Sequence, residues 1–89
     1  MGVFQAPKMA LSLRRQFGTR LKAIRLEREL TQEQFSELVG ISVDFLSLIE
    51  RGVNAPSFET LEQIGKRLEL PVRDLFDFRK ARAGSAPMK

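Results

Sequence analysis

The sequence predicts an all-α domain in which five short helices surround one core. Apolar residues recur at intervals of three and four along most of the chain, which is the period of an amphipathic helix. No stretch alternates apolar and polar residues for the length of a strand. The 89 residues, 43% of them hydrophobic, suit one small domain rather than two.

A clear N-cap signal separates the first two helices. The first is expected to begin between Met9 and Arg14. Thr31, followed by an acid and an amide in the first turn, should cap the second helix, and Gly40 should end it in a left-handed conformation. The residues expected on the inner faces of these helices are Phe17, Leu21, Ile24, Phe35, Leu38 and Val39.

Three further helices follow from similar signals. Ser42 should cap the third helix, Val43 to Arg51. Ser57 and Thr60 are competing caps for the fourth, and Pro71 should hold the first position of a short fifth helix. The apolar residues of these three helices are Leu46, Ile49, Leu61, Ile64, Leu68, Leu75, Phe76 and Phe78.

The helical pattern defines the domain as residues 13–78. Residues 1–12 are expected to be a flexible N-terminal segment. Residues 79–89 are expected to be a disordered basic tail, because they contain no periodic apolar residues that could offset the entropy of ordering.

Composition removes several classes of function. Without cysteine or histidine, the chain can form no disulfide, no soft-metal site and no histidine acid–base pair. Glu59 and Glu62 have no nucleophile or base set nearby, so we interpret them as solvated and predict no enzyme activity, cofactor or metal. No apolar run approaches the roughly 20 residues of a membrane span and no signal peptide opens the chain, so a cytoplasmic protein without membrane contact is expected.

Positive charge is concentrated toward the two ends of the chain. The net charge is +4, and six cations accompany one acid, Glu27, between Arg14 and Arg28. Ten acids and four cations lie between Glu29 and Asp77. A basic segment of this kind favours a polyanionic partner. The basic face of the first helix is either a solvated surface or a source of long-range attraction to such a partner.

The stretch TQEQFSELVGISVDFLSLIERGVNAPSFETL carries a specific combination of residues. Thr31 and Gln32 open the second helix, Ser36 is small, Gly40 stands in the turn, and Ile-Glu-Arg-Gly is followed by Pro-Ser. This spacing resembles the helix-turn-helix domain of the phage-repressor family of bacterial transcription regulators, the Cro/C1 or XRE type. The resemblance implies a lambda-repressor-like domain with the helix-turn-helix at helices 2 and 3. It also implies a sequence-specific regulator, bacterial or phage-encoded, that binds a double-stranded DNA operator.

The same resemblance assigns roles to individual residues. The third helix would enter the major groove as the recognition helix, and Gln32 would hydrogen-bond a phosphate. Arg25 would pair with Glu50 and fix the first helix to the recognition helix; the alternative is an ordinary surface ion pair. The expected DNA-binding residues are Thr31, Gln32, Ser42, Val43, Asp44, Phe45, Ser47, Leu48, Arg51 and Asn54.

The recognition helix departs from the family pattern on its outer face. Relatives commonly place Gln, Ser, Tyr and basic residues there, whereas this chain has Val43, Asp44, Phe45 and Leu48. Apolar side chains can read thymine methyl groups, and an aspartate can accept a hydrogen bond from cytosine N4. Two alternatives are that Phe45 packs against the second helix and that the apolar face binds a protein.

The fifth helix carries more large apolar residues than closing the core requires. We therefore expect a homodimer with Leu75, Phe76 and Phe78 in its interface, acting as a repressor or controller protein. The alternative is that all three side chains close the core of the monomer. A two-fold dimer doubles the contacts that one recognition helix makes with a near-palindromic operator. The alternative function is an antitoxin or adaptor on the same fold, which would bind a protein partner through the apolar face or the tail.

Overall fold

The computed structural model describes residues 12–79 as four α-helices and one 3₁₀-helix. The α-helices are α1 (Leu13–Glu27), α2 (Gln32–Val39), α3 (Val43–Glu50) and α4 (Phe58–Leu68), and the 3₁₀-helix is Val72–Phe76. Within this range there is no strand, and no helix has the length and apolarity to cross a membrane. The all-α prediction is confirmed for these residues. The expectations for residues 1–11 and 80–89 lie outside the described range.

The fifth predicted helix is present but is not an α-helix. Val72–Phe76 is a 3₁₀-helix, and Pro71 precedes it in an extended conformation, with φ −64° and ψ 148°, instead of holding its first helical position. The Asp74 N–H donates to the Pro71 carbonyl three residues earlier at 2.9 Å. A segment of five residues has little room for bonds between residues four apart, and such short pieces commonly adopt the tighter helix.

Each α-helix begins at a hydroxyl side chain that accepts a hydrogen bond from a backbone N–H three residues on. The capping residues are Ser12, Thr31, Ser42 and Ser57. At α4 the competition is resolved in favour of Ser57, because the Thr60 N–H donates to its Oγ at 3.1 Å. A lost cap of this kind costs about 1 kcal/mol, so these four residues fix where the helices start.

The core lies between the inner faces of all five elements. It is built from Phe17, Leu21, Ile24, Phe35, Val39, Leu46, Ile49, Leu61, Ile64, Leu68 and Leu75. The prediction that Leu38 is buried is wrong, since 36% of this residue is exposed, whereas Ser36 is only 6% exposed. Because α2 turns once in about 3.6 residues, the inward stripe is centred between Phe35, Ser36 and Val39, and Leu38 falls on its flank.

Gly18 lies where α1 crosses α3. A Cβ at this position would overlap the Ile49 carbonyl oxygen and would come within 3.0 Å of the Glu50 carbonyl oxygen. Both obstacles are backbone atoms near the end of α3, which cannot rotate away as a side chain can. The absence of a side chain at Gly18 therefore sets how closely α1 supports α3.

We predict that Gly18→Ala lowers the free energy of unfolding by about 2 kcal/mol, because the added methyl group must push α1 and α3 apart. In an unobstructed helix the same change would raise stability by about 1 kcal/mol through helix propensity, so the sign of the effect is diagnostic. Urea unfolding measures it. Thr19→Ala, at the exposed neighbouring position, is the matched control and should not lose stability. A stabilised Gly18→Ala variant would contradict the close crossing.

Candidate nucleic-acid interface

A tight turn joins α2 to α3. Gly40 has φ +81°, a left-handed conformation that glycine adopts without strain, and its N–H donates to the Ser36 carbonyl at 2.8 Å. The Gln63 side chain of α4 donates to the carbonyls of Val39 at 2.7 Å and Gly40 at 3.0 Å. Ser36 is small and buried, and its carbonyl also accepts a hydrogen bond from the Ile41 N–H in the turn at 3.0 Å. These contacts hold the two helices as one helix-turn-helix unit.

A buried polar network fixes the C-terminal end of α3. Arg25 donates from Nε to Glu50 Oε2 at 2.7 Å and from Nη2 to Glu50 Oε1 at 3.0 Å. Their side chains are only 10% and 3% exposed, so the expected pair is present and is not an ordinary surface ion pair. Arg25 Nη1 also donates to the Leu30 carbonyl, and Gln32 Nε2 donates to Glu50 Oε1, each at 3.0 Å. One carboxylate thus ties together α1, the start of α2 and the end of α3.

Arg25 keeps its positive charge across the usual pH range. The hydrogen bond to Glu50 raises the pKa of Arg25 above its ordinary value, and burial opposes this with a smaller effect. Because the pKa is raised on folding, the contribution of this cation to stability is complete below the ordinary arginine pKa. That contribution is lost only as the pH rises through the raised value, so the arginine does not make the fold pH-sensitive near neutrality.

The outer face of α3 presents a mixture of apolar and polar groups. Leu46 and Ile49 point into the core, while Asp44 is exposed. The remaining predicted contacts on this helix, namely Val43, Phe45, Ser47 and Leu48, are half-buried. Phe45 packs against the core, which favours the alternative in which its ring supports the fold. Four side chains of α3 therefore have exposed surface available to a ligand and do not belong to the core: Val43, Asp44, Ser47 and Leu48.

The polar groups around α3 can hydrogen-bond to an anion. Thr31 and Ser42 are exposed, and each hydroxyl accepts a backbone N–H as a helix cap. A hydroxyl that accepts in this way still has its own proton to donate. Arg51 and Asn54 are exposed beyond the end of α3, and Gln32 is half-buried at the start of α2. The structure therefore brings most of the predicted residues to the surface surrounding α3.

The first helix does not have one continuous solvated basic face. Arg20 and Arg25 are buried, and Arg20 donates from Nε to the Asp74 carbonyl at 2.9 Å. Arg28 donates to the Leu68 carbonyl at 2.9 Å, at the end of α4. These side chains satisfy backbone acceptors of other elements, a role that no local pattern in the sequence signals. The role of Gln63 at the turn was missed for the same reason.

The three residues predicted for a dimer interface differ in their surroundings. Leu75 is fully buried in the core, so its assignment to an interface is wrong. Phe76 and Phe78 are half-buried. The ring of Phe76 lies 5.1 Å from that of Phe17 and 5.9 Å from that of Phe78, measured between centroids. These two rings close one side of the core and leave part of their surface exposed.

The fold and the α2–turn–α3 geometry define a helix-turn-helix protein. A model of the helix-turn-helix family matches residues 21–75, and the chain belongs to that family. The resemblance read from the sequence is thereby confirmed.

Relatives support the same assignment. The chain is 46% identical to the immunity repressor protein of Bacillus phage phi105 over 62% of its own length, and it spans 38% of the repressor. It is 32% identical to control protein C.BamHI of Bacillus amyloliquefaciens, over 79% of the chain and 88% of that protein. Among solved structures, the restriction-modification controller protein C.AhdI of Aeromonas hydrophila superposes with a TM-score of 0.66 and 28% identity, covering 71% of this chain and 96% of C.AhdI.

We predict that Glu50→Ala lowers the free energy of unfolding by about 3 kcal/mol, because a buried guanidinium and the Gln32 amide lose their acceptor. Urea unfolding followed by circular dichroism measures the change. Arg79→Ala is the control, because it removes a surface ion pair with Asp77 in which the Arg79 side chain is 89% exposed. This change should leave the midpoint of urea unfolding unchanged. Equal midpoints for the two variants would mean that the buried pair contributes nothing.

Proposed function

We propose that the protein is a sequence-specific, double-stranded DNA-binding transcription regulator that inserts α3 into the major groove. The observation that carries this proposal is that α3 is fixed at both ends. The Gly40 turn holds its N-terminal end against α2, and the Arg25–Glu50 pair holds its C-terminal end against α1. An eight-residue helix is about 12 Å long, and the major groove, about 12 Å wide, admits one helix. The phage repressor and the controller proteins among its relatives support a regulatory role.

The outer face of α3 has groups suited to reading bases. Val43 and Leu48 offer methyl groups that can contact thymine C5-methyls. Asp44, at the exposed start of the helix, can accept from cytosine N4, and Ser47 can donate or accept. Specificity in this scheme comes mainly from apolar contact and from one carboxylate, so α3 itself adds little attraction for phosphates.

Affinity must then come from groups around α3. Gln32 has one amide hydrogen engaged by Glu50 and a second available for a phosphate. The cap hydroxyls of Thr31 and Ser42, together with Arg51 and Asn54, surround α3 with further donors. Phosphate contacts of this kind position a protein on the duplex, whereas the base contacts specify the sequence.

A homodimer that acts as a repressor or controller is the second element of the proposal. One helix reads only a few base pairs, and two-fold symmetry places a second copy on a half-site about one DNA turn away. The half-buried rings of Phe76 and Phe78 are the proposed centre of the interface, since they lie side by side with surface still exposed.

Selection of bound duplexes from a random pool tests this function directly. We expect enrichment of a symmetric site whose conserved positions include thymines, with binding that weakens steeply as salt rises. Equal recovery of all sequences would overturn specific recognition. Binding of a protein partner by the α3 face with little salt dependence, and no enriched DNA, would favour the adaptor or antitoxin alternative.

We predict that Leu48→Ala relaxes the preference at one position per half-site and costs about 1 to 3 kcal/mol for the preferred base, because an apolar base contact is lost. Its salt slope should stay unchanged. Gln32→Ala is the contrasting variant and should weaken all sequences by a similar factor. Uracil in place of thymine removes only the methyl group, and fluorescence anisotropy on the selected site compares all three changes. If both Leu48→Ala and the uracil site bind as well as the originals, the side chain does not read a methyl group.

We predict that Phe78→Ser gives a monomer that keeps its helical content, because the substitution removes exposed ring surface at the edge of the core. Sedimentation velocity and circular dichroism measure assembly and fold separately. Leu75→Ala is the comparison: this side chain is fully buried, so its truncation should cost about 3 kcal/mol of stability. Unfolding of Phe78→Ser to the same degree would place the ring in the monomer core, and an unchanged dimer would move the interface elsewhere.

A further inference from the structure

Two arginines of α1 lie at the C-terminal end of α3. Arg14 donates from Nη1 to the carbonyl of Val53, in the loop that follows α3, at 3.3 Å. Gly52 packs so closely on Arg15 that a Cβ on the glycine would come within 3.0 Å of the Arg15 Cα. Arg51 immediately precedes this glycine. The chain therefore brings Arg14 and Arg15 of α1 to the end of α3 that already carries Arg51, and we refer to these three residues as the arginine cluster.

The arginine cluster is exposed and, among the residues that the structure describes, has no carboxylate partner. All three residues are exposed to solvent. Within residues 12–79 the ion pairs join Arg25 to Glu50 and Arg79 to Asp77, so none involves the cluster. Glu50, the acid adjacent to Arg51 in the chain, is only 3% exposed at its side chain and is occupied by Arg25 and Gln32. Like charges at one place repel each other, and an anion bound there would relieve that repulsion.

The position of the arginine cluster relative to α3 indicates which anion fits. Asp44 lies in the first turn of α3 and Arg51 caps its other end, so the helix runs from an acidic start to a basic end. A helix about 12 Å long that enters a groove about 12 Å wide with its first half has its last turn at the groove edge. The sugar–phosphate backbone forms that edge. Arg14 uses one N–H for Val53 and retains other guanidinium donors.

We propose that Arg14 and Arg15 of α1 bind DNA phosphates beside Arg51, so that the nucleic-acid interface extends beyond the helix-turn-helix to the first helix. This inference rests on the proposed function. It adds a second backbone contact surface, contributed by an element that makes no base contact. Because these contacts would be to phosphate alone, they would add affinity for every sequence equally and would leave base preference to α3.

The test compares two doubly substituted chains that lose the same charge. Arg14→Gln/Arg15→Gln removes the proposed contacts and retains the aliphatic stem on which Gly52 packs. The matched control, Lys66→Gln/Arg73→Gln, removes two exposed cations from α4 and the 3₁₀-helix, neither of which belongs to the proposed interface. Binding to a selected duplex and to a shuffled duplex is measured between about 50 and 200 mM salt. Phosphate ethylation interference on the selected duplex maps the contacts that are lost.

We expect the arginine variant to lose affinity by the same factor on both duplexes and to lower the salt slope by about 2 per chain bound, one for each phosphate contact. Its ethylation pattern should lack phosphates that the control retains. A slope and an ethylation pattern equal to the control's would overturn the inference and leave the proposed function standing. If the chain shows no sequence preference yet the arginine variant alone loses duplex binding, specific recognition fails and the phosphate surface stands. Absence of duplex binding by the unmodified chain would overturn both.

Discussion

The carboxylate of Glu50 is the interaction on which the rest of the structure depends. It accepts two hydrogen bonds from Arg25 and one from Gln32, and its side chain is almost completely buried. A buried charge of this kind is tolerated only when its hydrogen-bonding capacity is filled. These three hydrogen bonds hold α1, the start of α2 and the end of α3 in one relative position. The same atoms therefore serve the fold and orient the helix proposed to read DNA.

Arginine has two distinct uses in this chain. Arg20 and Arg28 of α1 and Arg67 of α4 donate to backbone carbonyls of Asp74, Leu68 and Leu38 respectively. The last carbonyls of a helix have no partner inside the helix, so donors from neighbouring elements satisfy them and lock the elements together. Arg28 and Arg67 are nevertheless exposed, as are Arg14 and Arg51, whereas Arg20 and Arg25 are buried. The net charge of the chain is consequently a poor guide to the charge that a polyanion would meet.

The proposed interface separates specificity from affinity. The face of α3 offers methyl groups and a carboxylate, neither of which attracts phosphate, while donors from the starts of α1, α2 and α3 and from the end of α3 surround it. Such a division would allow the base preference to change through substitutions on α3 without a change in electrostatic attraction. It would also make binding unusually sensitive to the cations outside α3.

The sequence alone determined the presence of the four α-helices, the caps of α2 and α3 and the family, because these depend on residues within one turn of each other or on a fixed local spacing. The hydroxyls at Thr31 and Ser42 and the glycine at position 40 are examples. Only the tertiary structure decided which charged groups are buried, that Ser36 and not Leu38 faces inward, and that Leu75 belongs to the core. It also decided that Gln63 supports the turn and that Arg14 and Arg15 meet the end of α3. These outcomes depend on contacts between residues far apart in the chain, whose distances are set by how the helices pack and not by the local pattern of residues.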